Sequence, residues 1–154
     1  MGKAEQRLID LGLELPAINP PQGSYLPFTL ANNLIFVSGQ GPRRAGELIY
    51  RGTVGADLSM EEAQEAAKLC ALNILAQLQA ACCGELDRIA RVLRLAGLVR
   101  CTADFTDQAK VLNAASDLIC LVLDTAGPHA RIAAGTNALP SGMAVEIEAI
   151  AEMS

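Results

Sequence analysis

One arginine and two glutamates near the C-terminus carry the clearest chemical signal in this chain. Arg131 opens the run Ala130-Arg131-Ile132-Ala133-Ala134-Gly135, and Glu146 and Glu148 alternate with Val145, Ile147 and Ala149. A guanidinium holds a carboxylate through two parallel N–H···O bonds, a planar fork that lysine cannot offer. A carboxylate inside an otherwise apolar strand is costly unless it is paired or solvated. Period-two alternation puts Glu146 and Glu148 on one strand face and Val145, Ile147, Ala149 and Ala151 on the other. With Leu139-Pro140-Ser141-Gly142 as the connection, the expectation is a hairpin across which Arg131 meets a carboxylate. The same residues also read as a surface ion pair on a solvated sheet face.

The rest of the polar set is small. Ser38 stands at a strand end, in Ser38-Gly39-Gln40-Gly41-Pro42, where small residues allow close backbone approach. Asn113, flanked by Val111, Leu112 and Ala114, faces either a cleft or solvent, and Tyr25 is either a site residue or a packing aromatic with its hydroxyl at the surface. A single histidine, His129, excludes a histidine-rich metal site, and Cys70, Cys82, Cys83, Cys101 and Cys120 form no CxxC pair, so buried free thiols are expected and no metal. There is no GxxxxGK[ST] loop, no GxGxxG after a strand and no GxSxG elbow, so no nucleotide cofactor and no serine-hydrolase triad are indicated.

Composition narrows the class further. At 154 residues, 51% hydrophobic, with five aromatic residues and no Trp, the chain suits one domain whose core is built from Ala, Leu, Ile and Val. A net charge of −5 and a pI near 4.8 argue against nucleic acid as the main partner. The basic residues Arg43-Arg44, Arg88, Arg91, Arg94 and Arg100 form no long patch. No signal peptide and no apolar stretch of membrane-spanning length is legible, so a cytoplasmic location and no membrane partner are expected.

The elements that must position these groups follow from periodicity. Leu8, Leu11 and Leu15 mark a short N-terminal helix, an appendage stopped by Pro16, and residues 16–23 read as a Pro-rich linker. Residues 24–30 read as an edge strand because Pro27 cannot donate to a ladder, residues 34–37 as a buried strand, and 46–52 as a further strand. Ser59 and Glu62 form a capping box for a helix with Ala67, Ala71, Ile74, Leu75, Leu78 and Cys82 as its apolar stripe. Residues 92–102, apolar on both faces, read as a central strand covered by helices. A second helix, from about residue 106 to 126, has the stripe Val111, Ala115, Leu118, Ile119 and Val122 and is stopped by Gly127-Pro128. Strands over residues 131–139 and 143–151 complete an α+β layer with helices on one face of a mixed sheet.

Several of these stretches together resemble the RidA/YjgF family of reactive-intermediate imine deaminases, which also carries endoribonuclease and translation-inhibitor labels. They are Gly23-Ser24-Tyr25, Val37-Ser38-Gly39-Gln40 with Pro42, the helical Asn113, Ala130-Arg131, Leu139-Pro140 and Val145-Glu146-Ile147-Glu148-Ala149. The resemblance implies a chorismate-mutase-like fold of the bacillus type, two long helices on one face of a mixed sheet, and a homotrimer with three clefts between subunits. It places residues 1–20 outside the family domain, as an N-terminal extension, and residues 21–154 within it. It implies that Arg131 clamps a small-molecule carboxylate substrate and that Glu146 positions or activates water. Tyr25, Ser38 and Asn113 would line the cleft, Tyr25 from the adjacent subunit.

The implied reaction is cofactor-independent hydrolysis of a 2-imino or 2-enamino acid to the 2-keto acid and ammonia. The chain departs from the family pattern beside the arginine: His129 replaces a proline, Ile132 a serine and Ala133 a cysteine. That altered flank keeps a non-catalytic carboxylate-binding protein as the alternative, with His129 as either an added proton donor or a surface residue. An endoribonuclease or translation inhibitor fits the acidic balance less well.

Overall fold

The computed structural model describes residues 1–154. Its longest helix begins where the sequence says: the Ser59 hydroxyl accepts from the Glu62 amide at 3.2 Å and the Glu62 carboxylate accepts from the Ser59 amide at 2.8 Å. This helix, Met60–Ala81, is buried over most of its circumference, and every residue of the expected stripe is inside. The second long helix, Gln108–Leu123, buries Val111, Ala115, Leu118, Ile119 and Val122 and ends in a 3-10 turn over Asp124–Ala126. We call them α2 and α3, after the short N-terminal helix α1 (Lys3–Asp10).

The strands are β1 (Phe28–Ala31), β2 (Leu34–Gln40), β3 (Arg43–Arg44), β4 (Glu47–Leu48), β5 (Ile89–Arg100), β6 (Ala130–Thr136) and β7 (Val145–Met153). Five of them form one mixed sheet in the order β1-β2-β7-β5-β6, with only β5 and β6 parallel. Tyr25 lies before β1 rather than in it, and the strand expected over 46–52 shrinks to a two-residue ribbon, β3 with β4.

The expected hairpin between the last two strands does not form. β5 lies between β6 and β7, so residues 137–144 carry the chain across the end of β5 instead of turning back beside β6. Pairwise register then decides faces, because residues opposite one another point to the same side of a sheet. Arg131 is level with Leu95, and Leu95 with Ala149, on the helix-covered side. Glu146 is level with Leu98 and Glu148 with Ala96, on the other side.

That other side carries no helix. Phe36, Leu98 and Ile132 are 39%, 40% and 53% exposed there, so β5 is central in the sheet but covered on one face only. Its inner face carries Gly97, where an added Cβ would run into the Leu112 side chain; the missing side chain lets α3 lie close to β5 and β6.

The N-terminal helix packs onto this layer. Ala4 and Leu8 are buried in the same cluster as the α3 stripe, Asp87 accepts from the Lys3 and Ala4 amides at 2.6 and 2.9 Å, and Arg7 donates to the Val122 carbonyl at 3.1 Å. Those two amide donors hold the Asp87 carboxyl below its usual range. Of the thiols, Cys70 and Cys82 are buried as expected, Cys101 and Cys120 are half-buried and Cys83 is exposed; all five are free.

Candidate functional site

The five residues singled out from the sequence fall into two groups on opposite sides of the sheet. The first surrounds Glu146 on the uncovered face. Between Val37 and Gln40 the β2–β7 register slips by one residue, since Val37 pairs with Ala149 and Gln40 with Ile147. This bulge turns Ser38 and Gly39 toward Glu146. A Cβ on Gly39 would collide with the Glu146 carboxylate, so the small residue makes the place in which that carboxylate lies. Burial, and then the like charge of Glu148, raises the Glu146 pKa above the usual carboxylate range.

Tyr25, Ser38, Gln40, Arg43, Ser141 and Glu148 join Glu146 around a cavity of about 500 Å3. Within it Ser38 is partly committed to the fold: its hydroxyl donates to the Leu26 carbonyl at 2.6 Å and its amide to Pro27 at 2.9 Å. These bonds bring the segment that carries Tyr25 against β2. The Tyr25 ring is half-exposed, and its hydroxyl accepts from the Gln22 amide at 3.2 Å.

The second group surrounds Arg131, where α3 covers β6. Arg131 Nη2 donates to the Asn113 side-chain oxygen at 2.7 Å and to the Ala109 carbonyl at 3.2 Å, and Nη1 donates to Ser116 Oγ at 3.0 Å. Nε and one hydrogen of Nη1 are left over. His129 completes the arrangement. Its Nδ1 lies 2.7 Å from the Gly127 carbonyl, which can only accept, so this nitrogen carries the proton. Its Nε2 lies 2.9 Å from Ser116 Oγ, within hydrogen-bond distance of the serine that also accepts from Arg131. Asn113, His129 and Ser116 thus fix the guanidinium from one side, and His129 is part of the Arg131 surroundings rather than an isolated surface group.

Arg131 and Glu146 therefore do not meet within one chain. Glu148, not Glu146, has the nearer cation, Arg94 on β5, at 3.9 Å. Three further residues escaped the sequence reading. Ser116 stands three positions after Asn113 and so shares its helix face, a spacing that could have pointed to it. Asn73, 2% exposed in the middle of α2, breaks the consecutive apolar residues Leu72, Ile74 and Leu75, and a polar residue at a core position is such a signal too. Arg43 follows the Pro42 of the strand-end motif and carried no signal beyond its charge.

The description "YjgF/chorismate_mutase-like, putative endoribonuclease" belongs to the family model that matches residues 5–153. The chain is 40% identical over 154 residues to Protein TCP17 of Trypanosoma cruzi, covering 99% of this chain and 96% of that one. It superposes on the crystal structure of Atu1372 from Agrobacterium tumefaciens with a TM-score of 0.92 at 46% identity, covering 98% of this chain and 92% of that one. On the E. coli YjgF structure the TM-score is 0.63 at 25% identity, over 90% of this chain and 96% of that one. The match over nearly the whole chain, the strand order and the placement of helices on one face lead to one conclusion: the chain belongs to the YjgF/chorismate-mutase-like family.

Proposed function

We propose that this protein hydrolyses 2-imino and 2-enamino acids to 2-keto acids and ammonia, at sites where one copy of the chain supplies Arg131 and the next supplies Glu146. The observation that carries the reading is Glu146 itself: a carboxylate of raised proton affinity, seated over Gly39 in a concave site with Tyr25 and Ser38. A group that can take and return a proton beside the reacting carbon is what this reaction needs. Water attacks the imine carbon, giving up a proton to Glu146 while the C=N π pair moves to nitrogen. Glu146 passes that proton to the nitrogen, giving the carbinolamine, which then collapses: its hydroxyl proton moves by way of Glu146 to the same nitrogen, the C=O bond forms and the C–N bond breaks to release ammonia. The enamine tautomer first takes a proton at C3 and gives one up from nitrogen, becoming the imine.

Arg131 would hold the substrate carboxylate through Nε and Nη1, or by displacing the neutral Asn113 oxygen, since a charged acceptor makes the stronger bond. The uncovered apolar face supports a homo-oligomer. Phe36, Leu98 and Ile132 form the type of surface that a second copy buries, and the separation of Arg131 from Glu146 gives assembly a chemical purpose. A trimer is the closed form proposed.

The experiment is keto-acid release from 2-aminoacrylate and 2-iminobutanoate formed in situ by a dehydratase, with wild type, Arg131→Ala and Glu146→Gln. The expected result is acceleration by wild type and a loss of at least about 100-fold in each variant. Wild type that binds 2-keto acids without accelerating either reaction would establish the carboxylate-binding alternative instead. No helix is long and apolar enough to cross a membrane.

A further inference from the structure

The Glu146 cavity contains a guanidinium of its own. Arg43 lines it together with Glu146, Glu148 and Ser141, and none of the chain's carboxylates pairs with it. Its side chain makes only two long bonds to neutral acceptors, Nη1 to the Gly46 carbonyl at 3.4 Å and Nη2 to Ser141 Oγ at 3.2 Å. Nε and one hydrogen on each Nη are therefore available, enough for a bidentate hold on an anion.

The position of Arg43 is built rather than incidental. Asn73, in the interior of α2, donates through Nδ2 to the backbone carbonyls of Gly41 and Arg43 at 3.0 and 2.9 Å, and its oxygen accepts from Asn19 at 3.2 Å. Asn19 Oδ1 in turn accepts from the Gly46 amide at 3.0 Å, so the linker before β1 is tied to the β3–β4 ribbon and supplies a wall of the cavity. A buried amide inside an apolar helix costs stability unless its bonds are made. Here those bonds hold the loop that carries Arg43. Ser141, at φ 58°, steadies the guanidinium from the opposite wall.

We infer that Arg43 recognises a second anionic group and that the preferred substrate is the imine of a dicarboxylic amino acid, one carboxylate held by Arg131 and the other by Arg43. The inference rests on the proposed reaction and on the proposed assembly, which would bring Arg131 of one copy to the cavity that holds Arg43 and Glu146 in the next. Binding is separable from turnover, because the 2-keto acid product presents the same two carboxylates.

The test is calorimetric titration of the full chain with 2-oxoglutarate and with 2-oxobutyrate, alongside Arg43→Gln and Arg131→Ala. Wild type should bind 2-oxoglutarate at least tenfold more tightly than 2-oxobutyrate. Arg43→Gln should abolish that preference, weakening 2-oxoglutarate at least tenfold more than 2-oxobutyrate, Arg43→Lys should restore part of it, and Arg131→Ala should weaken both acids. Equal affinity for the two acids in wild type, no binding of either, or a preference that survives Arg43→Gln would each overturn the inference. A preference lost in Arg43→Gln without any imine turnover would sink the hydrolytic reading and leave Arg43 assigned. Turnover of monocarboxylic imines with no dicarboxylate preference would do the reverse.

Discussion

Asn73→Ala tests the idea that α2 spends a core position on holding the site. Three hydrogen bonds disappear with the side chain: two to the carbonyls of Gly41 and Arg43, and one from Asn19. At about 1 kcal/mol net for each bond, less something because the Gly41 carbonyl also accepts from the Arg43 amide, the expected loss is roughly 2–3 kcal/mol. For a chain of this length that is a fall in Tm of about 4–12 °C, measured by thermal circular dichroism at one fixed protein concentration. Asn19→Ala removes only the outer bonds and should cost less. In the double mutant the two effects should not add, because one bond is common to both, with a coupling of about 0.5–1 kcal/mol. A loss within about 0.5 kcal/mol for Asn73→Ala, or strict additivity with Asn19→Ala, would refute the reasoning and make Asn73 an ordinary tolerated polar residue.

Three other outcomes are expected. Gly39→Ala, which places a Cβ where the Glu146 carboxylate lies, should lower keto-acid release at least tenfold while the chain keeps its circular dichroism; unaltered turnover would remove Glu146 from the chemistry. Folding raises the pKa of Glu146, so above the ordinary carboxylate range, near about 4.3, the folded state holds more protons than the unfolded one, and stability is lost as pH rises from there through the folded pKa. Glu146→Gln should therefore melt higher than wild type at pH 7, by a margin that vanishes below about pH 3.5; equal melting at pH 7 would contradict it. Ile132→Asp puts a charge on the uncovered face, and light scattering should show a shift from trimer toward monomer, whereas a wild-type monomer would end the case for a shared site.

The helices were legible because their signals are local. The capping box Ser59–Glu62 and the stripes of α2 and α3 involve residues within a few positions of one another, where backbone geometry alone sets who is neighbour to whom. The alternation that sends Glu146 and Glu148 to one face of β7 is local in the same sense. The family motifs added the identity of the fold and named five polar residues, each of which lies in one of the two polar groups described.

Strand order is a different kind of fact. A connection such as residues 137–144 serves a hairpin or a crossing equally well, and what separated them here was the insertion of β5, whose apolar inner face has to lie under α3 and against β7. That insertion put a strand between Arg131 and Glu146, and the register on either side of β5 set Arg131 on the helix side of the sheet and Glu146 on the open side, so the ion pair suggested by the sequence became two half-sites. The same holds for Arg43 and Asn73, which are 30 residues apart and meet only because the strand-end loop folds back onto α2. Contacts of that range depend on how the layers pack, a property of the whole chain's buried surface rather than of any window of its sequence.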